Sequence, residues 1–246
     1  MSDLAASLLG SRRDGDVAVL TLTRPDRRNA LNTDLCRAIH VAVDEAVSTG
    51  ARSIVVTGEG TAFCAGADLD GVYGDEFLDA LYGMLHHLTT VPVPIVAAVN
   101  GPAIGAGTQL AMACDLRVAD ERARFAVPTA RNGMAVDAWT IRTLAQLAGT
   151  GRARRLMLAG DSMDREEALL AGLADRAGSL EDALAWAQEI ATLAPLALAH
   201  NKLVLNGSSA DDAAIAQSFT DVWASQDVRE SMVARDEKRA PIFRGV

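Results

Sequence analysis

Three closely spaced glycines, Gly101, Gly105 and Gly107, stand between an apolar run and an alanine-rich segment near the middle of the chain. The run Ile95–Val99 has the composition of a fully buried strand, and residues 108–114 have that of a helix. Glycine lets the backbone turn sharply and approach a ligand closely. Because the first N–H groups of a helix have no partner within it, this turn predicts a backbone anion site. The anion is either a phosphate or a carbonyl oxygen that gains negative charge during a reaction.

Two common glycine motifs do not fit this turn. A phosphate-binding P-loop has a Lys-Ser or Lys-Thr pair after its glycines, and no such pair follows here. The glycine spacing also differs from that of a dinucleotide-binding fingerprint, and the turn lies in mid-chain instead of in a first strand–turn–helix unit. A strand, a glycine turn and a helix are a weak signal alone, so an ordinary tight turn is the alternative at this point.

The elements that position this turn are predicted mainly in the first half of the chain, where apolar periodicity alternates between that of strands and that of helices. Residues 1–14 lack strong periodicity, and from Asp137 onward the sequence predicts nearly continuous helices with breaks at glycine and proline. In chain order, the elements predicted between these two regions are a strand at 17–23, a helix from Asn32 or Thr33 to Gly50, a strand at 53–57, a helix at 75–90, the central strand and helix, and short strands at 116–119 and 124–127.

The composition favours a globular protein whose partner is a small molecule or another subunit. With 246 residues, half of them apolar, the chain can build a full core. Its charge of −9 at pH 7 argues against a general nucleic-acid binder, although a local basic site for an anionic ligand is compatible with it. We expect a cytoplasmic protein, because the sequence has no signal-peptide pattern, no apolar run of membrane-spanning length and no CxxC spacing among its three cysteines. No His, Cys or Asp spacing predicts a metal site.

Three segments carry a resemblance to a known family: RPDRRNALN at 24–32, GTAFCAGADL at 60–69 and VNGPAIGAGTQLAMACDLRVA at 99–119. Their order and spacing resemble the enoyl-CoA hydratase/isomerase family, the crotonase superfamily, and the likeness continues to the ending EKRAPIFRG. The resemblance implies an α/β fold, a crotonase-like spiral of β-β-α units that form two stacked sheets. It also implies a crotonase core at residues 1–194 and a C-terminal helical region at 195–246. That region would mediate formation of a homotrimer, or of a hexamer made from two trimers.

The resemblance further implies an acyl-CoA ligand, no other cofactor, and an oxyanion hole in which two backbone N–H groups polarise the thioester carbonyl. By motif position these donors are Ala65 and Ala106, which agrees with the anion site predicted at the glycine turn. Tight packing is the alternative for both alanines. The residues that the resemblance places along the CoA moiety are Arg27, Arg28, Ala30, Ala67, Asp68, Leu69, Lys238 and Phe243.

Some of these CoA assignments have an alternative. The resemblance places a positive cluster, Arg24, Arg27 and Arg28, beside the CoA phosphates. Arginine suits a phosphate because its planar fork donates two parallel hydrogen bonds, but these arginines are equally typical of a solvated surface cluster. Asp68 fits bracing of its loop better than chemistry. Lys238 and Phe243 belong to the C-terminal segment, which in the family reaches a CoA site, sometimes that of a neighbouring subunit.

The acid–base pair of the family's hydratases is missing. These enzymes add water across an enoyl thioester with two glutamates, because a carboxylate takes a proton from water and returns one to the α-carbon near neutral pH. Aligning the motifs places Gln109 and Thr129 at these two positions. A glutamine amide does not titrate usefully, and a threonine hydroxyl is too weak a base without a neighbouring activator. We therefore do not expect efficient hydration.

Asp137 is the best substitute for the missing carboxylates. It lies in the segment RNGMAVDAWT, where some relatives carry acidic residues. An aspartate at a helix start is also a routine N-cap, and the sequence favours the cap. His86 and His87 are further candidates for a base, with one histidine on the polar helix face and the other partly packed as the alternative.

The sequence thus predicts an acyl-CoA binding protein of fatty-acid or lipid metabolism that retains the oxyanion hole without efficient hydratase activity. The alternative is an active acyl-CoA enzyme, a hydratase, an isomerase or a thioester hydrolase, that uses Asp137 or another base.

Overall fold

Nine strands and ten α-helices follow one another along residues 8–68, 74–207 and 211–246, which this computed structural model describes. Two short 3₁₀ turns, Pro25–Arg27 and Thr129–Asn132, lie among them. In chain order, the elements are β1 (Leu9–Asp14), β2 (Val17–Leu22), α1 (Thr33–Ser48), β3 (Ser53–Gly58), α2 (Asp75–Thr90), β4 (Ile95–Val99), β5 (Pro102–Ile104), α3 (Ala106–Ala113), β6 (Leu116–Ala119), β7 (Arg124–Ala126), α4 (Ala138–Ala148), α5 (Thr150–Leu158), β8 (Ser162–Asp164), α6 (Arg165–Ala171), β9 (Arg176–Ala177), α7 (Leu180–Ala191), α8 (Pro195–Asn206), α9 (Asp212–Ala224) and α10 (Gln226–Asp236).

The strands form two sheets. The larger sheet has the order β1-β2-β3-β4-β6-β9, in which β1 and β2 are antiparallel and all further neighbours are parallel. The smaller sheet has the order β5-β7-β8, with β5 and β7 parallel and β7 and β8 antiparallel. The parallel strands β2, β3, β4, β6 and β9 therefore bring their carboxyl ends to one edge of the larger sheet, where the glycine turn follows β4.

Both faces of the larger sheet are covered. On one face Leu20 and Ile54 belong to the main core, which α1, α2 and α3 complete. On the other face Val19, Val55 and Val96 pack with α7. Parallel strands that are buried on both faces are apolar without alternation, which is why β3 and β4 are recognisable as continuous apolar runs.

The predicted α/β class is confirmed, and so are the principal elements of the first half. The side chain of Asn32 accepts a hydrogen bond from the Leu35 amide at 2.9 Å, so α1 begins at the predicted N-cap. The bounds of α2 and β4 agree with the predicted ones. Every residue of β3 is buried, as the apolar composition indicates.

The prediction misses several short strands. No element is predicted in residues 1–14, yet β1 forms there as an edge strand with Arg12 and Arg13 exposed. Charged side chains are common on edge strands, and they hide the alternation on which a sequence reading depends. The second half is also not purely helical, because β8 and β9 interrupt it. Strands of two or three residues are too short to show any period.

The C-terminal helices are held against the sheet by buried polar contacts. Lys202 on α8 lies 2.7 Å from an Asp115 carboxylate oxygen, and its ammonium group also donates to the Val93 carbonyl at 3.0 Å. The same Asp115 oxygen accepts from the amide of Ile95 at 2.7 Å. Burial raises the pKa of Asp115, while the Lys202 charge opposes that shift. Residues 195–246 are thus mainly helical, and the division of the chain at 194/195 stays a prediction.

Within the described residues, no helix combines the length and the apolar composition needed to cross a membrane.

Candidate functional site

The glycine turn and the loop around Cys64 lie in direct backbone contact. The Cys64 amide donates to the Pro102 carbonyl at 3.1 Å, and the Ile104 amide donates to the Cys64 carbonyl at 3.0 Å, which makes a parallel bridge between the two segments. A Cβ atom at Gly107 would lie 2.0 Å from the Cys64 carbonyl oxygen. Glycine is therefore required at position 107 by a close approach of two backbones.

Within the described residues, the backbone N–H of Ala106 at the start of α3 has no hydrogen-bond partner, as the sequence predicts. Ala106 is the first residue of the helix, and within the described part of the chain its N–H makes no hydrogen bond. Gly105 before it has φ +55°, the left-handed region that favours glycine. An ideal Cβ on Gly66 would lie 3.9 Å from the Ala106 nitrogen, so this amide faces the loop around Gly66.

The predicted role of Ala65 as the second donor is contradicted by a hydrogen bond. The Ala65 amide donates to the Arg28 carbonyl at 2.9 Å, so this N–H is already satisfied within the chain. The partner segment runs parallel to the loop here, and Ala65 faces it. Gly66, with φ +111°, interrupts the extended backbone between Ala65 and Ala67, so the two alanines do not present their amides to the same side.

The amide of Ala67 is available instead. The Leu31 amide donates to the Gly66 carbonyl at 2.8 Å, and the Asp68 amide donates to the Leu31 carbonyl at 2.7 Å. This pattern is a parallel bridge between Leu31 and Ala67, in which the N–H of Ala67 points away from Leu31. Among the described residues the Ala67 N–H has no hydrogen-bond partner. Two backbone N–H groups at this place thus have no hydrogen-bond partner among the described residues, those of Ala67 and Ala106, and they are called the open amides below.

A cavity of about 200 Å³ opens beside these two amides. Apolar residues form much of its wall, with Phe77 and Leu81 of α2 on one side and Met134 and Val136 on another. None of the described residues that line it is an aspartate, glutamate, histidine, lysine or arginine. Its polar side chains are neutral ones, namely Tyr82, Gln109, Thr129 and Asn132.

Gln109 and Thr129 both reach the cavity, as their motif positions predict. Gln109 is only 2% exposed, and its amide nitrogen donates to Thr140 Oγ1 at 2.7 Å. Thr129 opens a 3₁₀ turn directly after Pro128. Within the described residues no carboxylate or imidazole hydrogen-bonds to the Thr129 hydroxyl, so nothing there activates it as a base.

Asp137 is the N-cap of α4. Its Oδ1 atom accepts from the Thr140 amide at 3.1 Å and from the Thr140 hydroxyl at 2.5 Å. The favoured cap role is therefore confirmed. The carboxylate is not part of the cavity wall, and its connection to the cavity runs through Thr140 to Gln109. Sequence reasoning identifies Asp137 and Gln109 separately but misses Thr140, which joins them only once α3 packs beside α4.

A partly buried ion pair braces the loop that carries Ala67. Arg24 Nη2 lies 2.8 Å from Asp68 Oδ2, and the Arg24 guanidinium also donates to the carbonyl of Ala30. Asp68 thus holds the loop, as the alternative for this residue predicts. Arg27 and Arg28 lie exposed beside this pair. Arg24 holds the backbone together, and Arg27 and Arg28 are the arginines of this segment that face solvent.

The other predicted CoA contacts are not assembled at this site within one chain. Leu69 lies outside the described residues. Phe243 accepts a hydrogen bond through its carbonyl from Arg52, which stands before the first residue of β3. The loop with Ala67 follows the last residue of β3, and a strand of this length spans roughly 20 Å. Lys238 is exposed just after α10. Phe243 therefore does not reach this site within one chain, and the contact predicted for Lys238 stays a prediction.

The candidate histidine bases face away from the cavity. His87 on α2 stacks on His40 of α1 with ring centroids 3.9 Å apart, and its Nε2 lies 2.9 Å from Asp44 Oδ1. His86 is exposed, and neither His86 nor His87 is part of the cavity wall. Atoms of His40, Asp44 and His87 able to ligate a metal lie within 4.8 Å of one another. Sequence spacing does not reveal this group, because its members come from two helices.

Acid should destabilise the folded protein through this histidine pair. Burial lowers the pKa of His87, the charge of His40 lowers it further, and Asp44 opposes both effects. Because an unfolded histidine, with a pKa of about 6.5, takes up its proton first, the stabilisation is complete above that value and is lost as the pH falls through the lower folded pKa. We expect the free energy of unfolding to fall as the pH decreases below the unfolded value of about 6.5, and His87→Gln to weaken this dependence. Urea titrations at several pH values measure the free energy of unfolding, and the variant His86→Gln, at an exposed histidine, is the control. If the free energy of unfolding of His87→Gln depends on pH as steeply as that of the wild type, His87 is not the source of the dependence.

Comparison with known proteins identifies the family. The enoyl-CoA hydratase/isomerase family matches residues 12–246. A probable enoyl-CoA hydratase of Mycobacterium tuberculosis, echA6, is 48% identical over 246 residues, 97% of this chain and 100% of the relative. The 2,3-dehydroadipyl-CoA hydratase of Escherichia coli is 35% identical over the full length of both chains. A crystal structure of an enoyl-CoA hydratase subunit from Geobacillus kaustophilus has a TM-score of 0.87 and 33% identity, and covers 97% of this chain and 98% of that one. The chain therefore belongs to the enoyl-CoA hydratase/isomerase family and has its crotonase fold.

Proposed function

We propose that this protein binds acyl-CoA thioesters with their carbonyl oxygen between the amides of Ala67 and Ala106, and that it does not hydrate them efficiently. The observation that carries the proposal is a pair of N–H groups, unpaired within the described residues, beside a cavity whose described wall has no charged side chain. Backbone donors that are fixed in advance polarise a carbonyl oxygen. Hydration also needs a carboxylate to move protons, and no described wall residue supplies one. Membership of a family that acts on CoA thioesters supports the ligand class.

The CoA moiety would leave the cavity past the segment of Arg27 and Arg28. These two side chains are exposed, and a guanidinium pairs well with a phosphate. The protein's overall negative charge makes such a local basic group the natural place for an anionic ligand. Ala30 and Asp68, joined through Arg24, fix the backbone of this exit.

A homo-oligomer is part of the proposal. Phe219 and Trp223 on α9 are 54% and 65% exposed, and their rings contact each other with centroids 6.2 Å apart. Large exposed aromatic side chains of this kind are typical of interfaces. Contact between copies through the C-terminal helices would also bring Lys238 and Phe243 towards a neighbouring site. A mass measurement that finds only monomer at micromolar concentration would contradict this part.

The proposed site of action is the cytoplasm. All three cysteines, Cys36, Cys64 and Cys114, are free and buried, as suits a reducing compartment. Burial raises the pKa of the Cys64 thiol to about 12, which makes it inert as a nucleophile beside the site.

The deciding experiment combines binding with turnover. Acyl-CoA affinity is measured by calorimetry, and enoyl-CoA is incubated with near-stoichiometric protein in ¹⁸O-water and followed by mass spectrometry. We expect binding with unchanged enoyl-CoA in the wild type, and loss of binding in Ala106→Leu, because Ala106 is buried at the donor position. The exposed Ala159→Leu is the matched control. Rapid formation of labelled 3-hydroxyacyl-CoA would instead establish the enzyme alternative, in which Asp137 or another base moves the protons.

A further inference from the structure

Two helices bring two imidazole rings and a carboxylate together outside the cavity. His40 and Asp44 are four residues apart on α1, a spacing that places both side chains on the same helix face. His87 comes from α2, and its ring stacks on that of His40 with the ring planes within 6° of parallel. One possible ligand atom from each of these three residues lies within 4.8 Å of the other two. The three residues are called the His–Asp cluster below, and none of them lines the cavity.

The carboxylate of the His–Asp cluster has no fixed cation beside it in the described part of the chain. Asp44 Oδ1 lies 2.9 Å from His87 Nε2, and Asp44 Oδ2 lies 3.8 Å from His40 Nε2. Among the described residues no lysine or arginine forms an ion pair with Asp44. Arg37, which precedes His40 by three residues, pairs with Glu76 at 2.9 Å instead. Each oxygen of the carboxylate therefore faces a ring nitrogen, and both oxygens can still bind a cation.

A buried nitrogen in the same cluster also lacks a partner. His87 Nε2 is inaccessible to solvent and makes no hydrogen bond within the described residues. Its contact with Asp44 is short enough for a hydrogen bond, but the ring nitrogen points past the carboxylate oxygen. A buried polar atom without a partner is unfavourable, and in a native protein it indicates a bound water or ion. A nitrogen and a carboxylate oxygen that lie so close without satisfying each other can both be satisfied by one cation.

The distances and the donor atoms fit a zinc ion. Zinc binds imidazole nitrogen and carboxylate oxygen at about 2.0–2.2 Å in a tetrahedral arrangement, so two of its ligand atoms lie roughly 3.3–3.5 Å apart. The two separations from Asp44, 2.9 Å and 3.8 Å, lie on either side of this range. The parallel rings must open for their lone pairs to meet at one ion, and the His40 side chain, 41% exposed, has room to rotate. Two nitrogens and one oxygen suit zinc better than magnesium or calcium, which prefer oxygen ligands.

We propose that His40, Asp44 and His87 bind one Zn²⁺ ion, with water completing its coordination, and that this ion ties α1 to α2. The role is structural, because the ligands come from two helices and the ion would cross-link them at the surface. The inference does not depend on the proposed function, since the His–Asp cluster lies outside the cavity wall. Failure of acyl-CoA binding would leave it standing, and failure of zinc binding would leave the proposed function standing.

Zinc titrations of the full-length protein test the proposal. The protein carries no histidine tag and is treated with a chelator before calorimetry. We expect one equivalent of Zn²⁺ to bind the wild type with a micromolar or lower dissociation constant, and Mg²⁺ not to compete. Because loss of even an outer partner of a zinc ligand costs about 10–100-fold in affinity, His40→Gln and His87→Gln should each weaken binding by at least about 10-fold. His86→Gln removes an exposed histidine next to the cluster and should keep the wild-type affinity.

Two further measurements separate loss of a ligand from a folding defect. Thermal unfolding in chelator checks the fold of each variant, and added zinc should raise the midpoint of the wild type and of His86→Gln but not of His87→Gln. Asp44→Asn, at an exposed position, serves as a second variant with reduced zinc affinity if a histidine substitution impairs folding. Absence of saturable zinc binding to the wild type, or wild-type zinc affinity in well-folded His40→Gln and His87→Gln, overturns the proposal.

Discussion

The double variant Gln109→Glu/Thr129→Glu is expected to hydrate a short enoyl-CoA at least about 10²-fold faster than the wild-type protein, since a positioned acid or base contributes about 10²–10⁴-fold in rate. Both side chains already line the cavity beside the open amides of Ala67 and Ala106. The substitutions would therefore add proton transfer to the site that is proposed to hold the carbonyl oxygen. The rate is measured as labelled 3-hydroxyacyl-CoA formed in ¹⁸O-water.

The single variants are the controls for this gain. Each supplies one carboxylate and should give an intermediate rate, because addition of water needs a group to take the proton and a group to return it. In Gln109→Glu the new carboxylate faces Thr140, whose hydroxyl proton is already held by Asp137, so we expect it to turn towards the cavity. A wild-type protein as fast as the double variant would show that another base already operates, and Asp137→Asn would then be expected to abolish turnover.

Gly107→Ala is expected to destabilise the protein by about 3–5 kcal/mol, near the upper limit for one substitution. The new Cβ would lie 2.0 Å from the Cys64 carbonyl oxygen and 2.8 Å from its carbonyl carbon, which no side-chain adjustment relieves. The Cys64 carbonyl is held in turn by the Ile104 amide, so one segment must move away from the other. Chemical denaturation measures the loss, and acyl-CoA binding should be lost with it.

Gly151→Ala is the matched control for this substitution. Gly151 lies in the first turn of α5, and nothing would lie within 4 Å of its new Cβ. Alanine is favoured over glycine in a helix by roughly 0.5–1 kcal/mol, so we expect equal or slightly higher stability. Wild-type stability in Gly107→Ala would contradict the close approach on which the site depends.

Elements with a repeating buried face were predictable from the sequence, whereas elements that depend on a partner far away in the chain were not. β3, β4, α1 and α2 were predictable because a buried face repeats along each of them. β1 was not, since an exposed edge strand with Arg12 and Arg13 has no repeating apolar face. β9, of two residues, pairs only with β6 and depends on a neighbour that lies far away in the chain.

The residues of the candidate site also differ in how far the sequence predicts them. The motifs place Ala106 at the start of α3 and Gln109 and Thr129 in the cavity wall, because their positions follow from a helix start and a strand end. The motif position of the second donor, Ala65, is contradicted by its hydrogen bond to Arg28, since Gly66 interrupts the extended backbone at this point, and Ala67 as the donor is a proposal. Thr140 carried no signal of its own, because its role depends on the packing of α3 against α4.

Two bridges between distant segments affect the order of folding. One joins Cys64 to the glycine turn, and the other joins Leu31 to Ala67. The partners of each bridge are separated by more than thirty residues in the chain, and we expect such contacts to form late because loop closure must come first. Partly folded chains should therefore lack the arrangement in which the amides of Ala67 and Ala106 lie beside the same cavity. If acyl-CoA binds only the fully folded chain, as the proposed site requires, we expect it to shift the folding equilibrium towards the native protein by mass action.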